Sequence, residues 1–375
     1  MSHSVGIGVV GTGWITRPHA HALHTLNHLE PLRRRVRLVS LGGRDAERAA
    51  AAAAELGFER STARWEEVVE DPEVDVVACL AANPVHAPVS VAALAAGKPV
   101  LCEKPLGRDP AETTELVQAA RAAGVTHACG FNYRYVPAVR LMLDVLAGGA
   151  LGELRHFRGL YLQDWAAKED TGRPSHGGSG AVLDYAHIID LLRVFAGEPG
   201  TVSAHVASFS DRGAEDAYAA TMDLPGGGLA TLEASRHATG WKGRQRIEVN
   251  GTEGSAWWDM EDPNRLHVFL ARDEREGLGG FRSVLVTERD HPFVRQWWTS
   301  GHVLGWEHSF THQWRDFLEA VLAGRPVPER QADFEDGHRA AVVCEAILES
   351  ARRGTRVGPA ELGAAATATA VEEED

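Results

Sequence analysis

Cysteine is scarce, with 4 residues in 375, and no two of them form a C-x-x-C pair. Cys79, Cys102 and Cys129 each lie within or at the end of an apolar run. That distribution excludes a disulfide framework and a zinc ribbon, and reads these thiols as small buried hydrophobes. Long apolar runs are also missing, since none reaches the roughly 18 residues that a membrane-spanning helix needs. No basic segment followed by an apolar one opens the chain, so the expectation is a soluble protein in a reducing, cytoplasmic compartment. Positive charge is in short supply as well. Lys and Arg total 38 against 52 for Asp and Glu, a formal net charge of −14, and the densest basic cluster is only Arg33-Arg34-Arg35. Such a chain is expected to bind neither nucleic acid nor an anionic membrane surface. No metal is expected either: His21, His24 and His28 share one helical face, but no carboxylate stands at ligand spacing beside them.

What is present suffices for a large core, since 44% of the residues are hydrophobic and the length suggests two domains of roughly 150 residues each. Val100 to Leu106 is the informative stretch: an apolar strand that stops at Glu103-Lys104-Pro105, delivering a lysine to the strand's carboxyl end. In open α/β sheets that edge is where ligands bind. Val5 to Val10 is a strand running into Gly11-Thr12-Gly13-Trp14-Ile15-Thr16 and then a helix, a variant of the dinucleotide fingerprint with Thr in place of the third small residue. Val36 to Leu41 ends in Gly42-Gly43-Arg44, where an NAD enzyme usually carries an acid; an arginine there leans the expectation from NAD toward NADP. Ala82-Asn83-Pro84-Val85-His86 forms a polar turn at the same edge, and Val125 to Cys129 leads to Asn132.

Strands alternating with helices predict a parallel, doubly wound α/β Rossmann domain over residues 1–131. After about Gly149 the pattern becomes successive alternating stretches without helices between them. Residues 132–362 are therefore expected to form an α+β domain with a large, mostly antiparallel open sheet for substrate binding and oligomerisation. Helices are expected over Ala181 to Phe195, Ser309 to Leu322 and Asp336 to Arg352, and a disordered tail over 363–375.

Taken together, these residues resemble the glucose-fructose oxidoreductase and myo-inositol dehydrogenase family along nearly the whole chain. The resemblance is carried by Gly11-Thr12-Gly13-Trp14-Ile15 with His19, the Asn83/His86 turn, Gly97-Lys98-Pro99-Val100 leading to Glu103-Lys104-Pro105, Asn132-Tyr133-Arg134, and Gly178-Ser179-Gly180-Ala181 leading to Asp184, His187 and Asp190. Tyr161-Leu162-Gln163-Asp164-Trp165 is further similar to the levoglucosan dehydrogenase branch, which oxidises a pyranose hydroxyl at C3. The resemblance implies Lys104, Asp184 and His187 as catalytic residues, although the family usually separates that Asp and His by four positions and here they are three apart.

Hydride transfer from a secondary alcohol needs a base and a cation for the developing alkoxide. His187 suits the first and Lys104 the second, with Asp184 orienting the imidazole or gripping a neighbouring hydroxyl. Gly11, Gly13, Trp14, Ile15, Gly43, Arg44, Ala82, Asn83, His86, Glu103, Lys104 and Asn132 are the expected cofactor contacts. Tyr133, Arg134, Gln163, Asp164 and Trp165 join Lys104, Asp184 and His187 around a sugar or cyclitol. Arg236, Trp298, His302, His308 and His312 are further candidates without a rank. Alternatives are a keto-sugar reductase and a non-catalytic nucleotide-binding regulator. The open sheet is expected to pair with a second copy in a homodimer or homotetramer.

Overall fold

The structure, a computed structural model, describes residues 4–29, 32–167, 179–210, 213–277 and 279–363. Gly178 and the acidic terminal run lie outside the described residues. Contacts divide the described chain into two compact units: residues 4–132 with Trp306–His338, and Tyr133–Gly305 with residues 339–363.

The first unit contains β1 (Ser4–Val10), α1 (Thr16–Leu26), β2 (Arg35–Gly42), α2 (Ala46–Leu56), β3 (Arg60–Thr62), α3 (Trp65–Glu70), β4 (Val76–Cys79), α4 (His86–Ala95), β5 (Val100–Cys102), α5 (Pro110–Ala123) and β6 (His127–Cys129). All six strands run parallel in the order β3-β2-β1-β4-β5-β6. Being covered on both faces, they read as continuous apolar runs: Val5 to Val10 and Val76 to Cys79 are buried throughout. The helices start and stop where the sequence sets caps. Asp45 accepts the Arg48 N–H at 3.0 Å and Asp109 accepts the Glu112 N–H at 2.9 Å, while Gly57 and Gly124 end α2 and α5 at φ 79° and 64°.

The second unit contains α6 (Pro137–Ala147), β7 (Leu154–Leu162), α7 (Ala181–Asp184), α8 (Ala186–Ala196), β8 (Val202–Ala207), β9 (Ala217–Asp223), β10 (Leu229–Ser235), β11 (Arg244–Gly251), β12 (Gly254–Asp259), β13 (Arg265–Leu270) and β14 (Arg282–Leu285). These eight strands form one sheet, β14-β13-β12-β11-β7-β10-β9-β8, antiparallel throughout except where β7 meets β10. One face is buried beneath α8, whose Ile188 passes close to Gly159 of β7; a Cβ at that glycine would already sit 2.9 Å from Leu232. The opposite face forms a shallow groove of about 670 Å³ edged by Arg158, His205, Thr221, Thr231, Glu233 and Arg246.

Two long helices follow, α9 (His308–Ala323) and α10 (Phe334–Arg353). α9 belongs to the first unit because its Phe310, Trp314, Phe317 and Leu318 bury against Val5, Ile7, Leu23 and Leu38. Each such side chain removed from water is worth about 1.5–3 kcal/mol, which outweighs its place late in the sequence. The continuous helix expected over Ala181 to Phe195 is corrected: it breaks at Tyr185, whose φ −99° and ψ 25° leave the helical region, so Asp184 and His187 fall on separate helices. Among the described residues no helix is long and apolar enough to cross a membrane.

Candidate active site

The site residues of the first unit gather at the carboxyl edge of its sheet. β1 turns at Gly11, which has φ 128°, and a Cβ there would come within 2.4 Å of the Leu80 carbonyl oxygen. Only glycine tolerates both demands. Gly13 is different in kind: a Cβ there would meet nothing within 4 Å, so its backbone faces open space at the start of α1. Thr16, at the third fingerprint position, donates from Oγ1 to the Gly11 carbonyl at 2.8 Å and so braces the turn. Trp14 is exposed and stacks on Trp306 with ring centroids 5.8 Å apart, and Ile15 beside it is half-buried. At the end of β2, Gly43 packs its Cα edge on Thr12, Arg44 is exposed, and Arg48 donates to the Thr12 carbonyl at 3.3 Å. Asp45, the acid next to Arg44, is spent capping α2.

The Asn83 turn follows β4, with Ala82 at its head and Asn83 buried. His86 is buried, its Nδ1 2.8 Å from the Pro105 carbonyl oxygen and its Nε2 3.0 Å from that of Ala81, so it ties this turn to the lysine triplet. In the triplet itself Glu103 is 6% exposed. Its Oε1 lies 3.0 Å from His19 Nε2, and its Oε2 accepts the Lys104 N–H at 3.0 Å. Gly130 crosses so close that a Cβ there would sit 2.7 Å from Glu103 Oε1. Asn132 donates to Ser309 Oγ at 2.8 Å.

All four cysteines are free and buried. Cys79, Cys102 and Cys129 stand in register on adjacent strands. Cys79, His86 and Cys102 bring their potential ligand atoms within 4.8 Å of one another, but the imidazole is already engaged by two carbonyls. The Cys102 thiol, donating to Cys79, holds the Cys79 thiol down to about 7 against the opposing pull of burial.

In the second unit His187 is 7% exposed, with the ring of Tyr133 edge-on at 4.6 Å. Tyr133 also meets Trp258 edge-on, and its hydroxyl lies 3.4 Å from that of Tyr161. Asp184 has Arg236 Nε at 3.5 Å, and the same guanidinium lies over the Trp165 ring at 5.4 Å. Arg236 is 1% exposed and also donates to the Ser179 carbonyl. It stands just after β10, and the sequence alone left it unranked; an arginine beyond a strand end carries no signature until its carboxylate partner is known.

Three of the expected sugar contacts are already held by the protein. Arg134 makes a two-pronged bond to Asp190, at 2.8 and 2.5 Å, with both side chains buried. Gln163 accepts the Tyr185 hydroxyl at 3.1 Å and donates to the Lys242 carbonyl at 3.2 Å. Asp164 is buried and paired with Lys242. Among the unranked candidates, His312 is buried in the first unit, whereas Trp298 and His302 are exposed.

Two family models match this chain: oxidoreductase family, NAD-binding Rossmann fold, over residues 5–131, and the Gfo/Idh/MocA C-terminal domain over residues 139–257. Levoglucosan dehydrogenase of Pseudarthrobacter phenanthrenivorans is 31% identical over 394 aligned positions, covering 96% of this chain and 100% of that one. A 1,5-anhydro-D-fructose reductase from Ensifer adhaerens is 37% identical over 225 positions, covering 58% of this chain and 67% of that one. Among solved structures, an oxidoreductase domain protein from Kribbella flavida superposes with a TM-score of 0.90 at 36% identity, covering 96% and 99% of the two chains. Levoglucosan dehydrogenase in complex with NADH and levoglucosan does so with 0.90 at 31%, covering 95% and 99%. The chain is a member of the Gfo/Idh/MocA family of NAD(P)-dependent oxidoreductases, with the family's Rossmann domain followed by its open-sheet domain.

Proposed function

We propose that this protein moves a hydride between NAD(P) and a ring secondary alcohol or ketone of a sugar, glycoside or cyclitol, with pyranoside C3 oxidation the favoured case. The observation that carries this reading is the Glu103-Lys104-Pro105 triplet at the carboxyl end of β5, in a chain matched along its length by levoglucosan dehydrogenase. Gly11, Gly13, Trp14 and Ile15 at the head of α1, with Ala82, Asn83, His86, Glu103 and Asn132, form the proposed hold for the dinucleotide, which when bound supplies the nicotinamide that carries the hydride. The open backbone at Gly13 supports this fit.

Lys104 is assigned the cation that steadies the developing alkoxide, and His187 the base that takes the hydroxyl proton. Asp184, with Arg236 beside it, is assigned to grip a neighbouring hydroxyl. Tyr133 holds the plane of the His187 ring, and Trp165 offers an apolar face to sugar C–H groups. Gln163, Asp164 and Arg134 act through the side chains they hold rather than as direct contacts. For the nucleotide, the end of β2 supports NADP, because Arg44 and Arg48 are cations there and Asp45 is committed as a cap. The relatives crystallised with NADH support NAD as the competing reading.

Reduction of a keto-sugar has an observation of its own in the similarity to 1,5-anhydro-D-fructose reductase. A regulator without chemistry is disfavoured because the sequence retains both Lys104 and His187. A panel of pyranosides, levoglucosan and inositols with NAD and NADP, and of keto-sugars with the reduced nucleotides, tests the reading. Turnover of at least one sugar in either direction is expected. NADH binding without turnover of any of them contradicts the enzyme reading and favours the regulator.

A further inference from the structure

We infer that His19 is a positioning residue for Lys104, acting through the carboxylate of Glu103. The inference rests on the assignment of Lys104 above, and it concerns a buried group that this assignment does not use. His19 lies on α1, is fully buried, and is far in sequence from the triplet. Its two ring nitrogens do different things. Trp314 Nε1, which can only donate, gives its hydrogen to His19 Nδ1 at 2.8 Å. In the neutral ring the proton then sits on Nε2, which donates to Glu103 Oε1 at 3.0 Å. The tautomer is therefore set by α9 and read out on the carboxylate.

Glu103 passes the constraint on. Its second oxygen accepts the backbone N–H of Lys104 at 3.0 Å, so the plane of the carboxylate fixes the peptide from which the lysine side chain springs. Gly130 packs close to the same carboxylate oxygen that His19 meets, where even a methyl group would intrude. A carboxylate taken out of water needs partners for its lone pairs, and here the donors are one imidazole and one peptide N–H. Phe310 closes edge-on at 4.8 Å on the His19 ring, leaving it little freedom to rotate. Removing the imidazole donor frees the carboxylate to turn, and the Lys104 peptide turns with it. The same residues would place the ammonium for any substrate, so the effect should fall on turnover more than on binding.

Two substitutions separate this role from mere packing. His19→Gln puts an amide N–H where Nε2 stands and keeps the bond to Glu103, while losing the Trp314 bond. His19→Asn puts a carbonyl where Nδ1 stands and keeps the Trp314 bond, while losing the one to Glu103. With the sugar that turns over best in the panel above, His19→Asn should lower kcat about 10- to 100-fold, the value of one hydrogen bond to a charged group. KM for the sugar should change less than about threefold. His19→Gln should retain kcat within about threefold of wild type, with thermal unfolding midpoints of the two variants close together. Equal losses of kcat in both, or a loss that tracks the unfolding midpoint, overturns the inference. Lys104→Ala run alongside distinguishes the two levels: if it turns over normally, the site assignment fails and this inference with it; if it is inactive while Gln and Asn behave alike, only the role of His19 fails.

Discussion

At the scale of single residues, the choice of cation is informative. Lys98, Lys104, Lys168 and Lys242 are all the lysines in the sequence, and arginine supplies the positive charge elsewhere. Lys98 donates to the Asp71 carbonyl at 2.7 Å and Lys242 pairs with Asp164, which are structural uses. A guanidinium never gives up its proton in a protein, whereas an ammonium can, so a lysine held at the triplet suits a group that relays one. The hydroxyls of Tyr161 and Tyr185 are held in their protonated form. Burial, reinforced by its Tyr133 neighbour, pushes the Tyr161 hydroxyl well above its ordinary value, and burial with Asp184 nearby does the same for Tyr185. Tyr185→Phe should therefore leave the inflections of the kcat pH profile where they are, while the lost Gln163 bond raises sugar KM a few-fold; a moved inflection would contradict this.

Two further predictions concern stability. Removing one partner of the Arg134–Asp190 pair strands a buried charge, so Asp190→Asn should cost about 3–5 kcal/mol in urea unfolding. Asp216 opposes burial with hydrogen bonds from the Phe209 N–H and from the N–H and hydroxyl of Ser210, and these hold its carboxyl below the usual range. A lowered folded value means stability that is present above the unfolded pKa of about 4 and lost as pH falls through the folded one. Asp216→Asn should thus be less stable than wild type at neutral pH, with the gap narrowing in acid. A constant gap from neutral pH to below pH about 3 would contradict it. Legibility at this scale was uneven. Lys104 and the glycines were readable because a strand end and a tight turn restrict what fits. The partners of Arg134, Gln163 and Asp164 were not, because each lies on a different element.

At the scale of elements, strands and helices of the first unit followed from apolar runs bounded by Asp caps and Gly stops. β12 was harder to read because Trp257 and Trp258 are adjacent: Trp258 is buried, while Trp257 faces outward, stacked on His267 at 3.6 Å with Arg246 on its other face. Two large aromatics in succession hide the period of two. The break at Tyr185 was invisible for the opposite reason, since the apolar stripe continues across it. The Gly11 turn yields the sharpest prediction at this scale. Gly11→Ala combines a left-handed φ with a clash against the Leu80 carbonyl, so it should lower the thermal midpoint and weaken NADH binding together. Unchanged NADH affinity would separate the turn from the nucleotide.

At the scale of the whole molecule, the sequence showed a parallel half and an antiparallel half but not the return of α9 to the first unit, because a helix declares its apolar stripe without declaring what covers it. The outer face of the second unit's sheet, with charges of both signs such as Arg158 paired to Glu248, is proposed to meet a second copy. Sedimentation at micromolar concentration should show a dimer or tetramer, and Arg246→Glu should weaken it; a wild-type monomer would remove the proposal.

The most direct measurement is the sugar-dependent rate of nicotinamide reduction by wild type and by Lys104→Ala, at saturating nucleotide and with folding verified. Lys104→Ala should lose at least about a hundredfold in kcat with nucleotide affinity retained. A variant that turns over at close to the wild-type rate would show that the ammonium at the end of β5 takes no part in the chemistry.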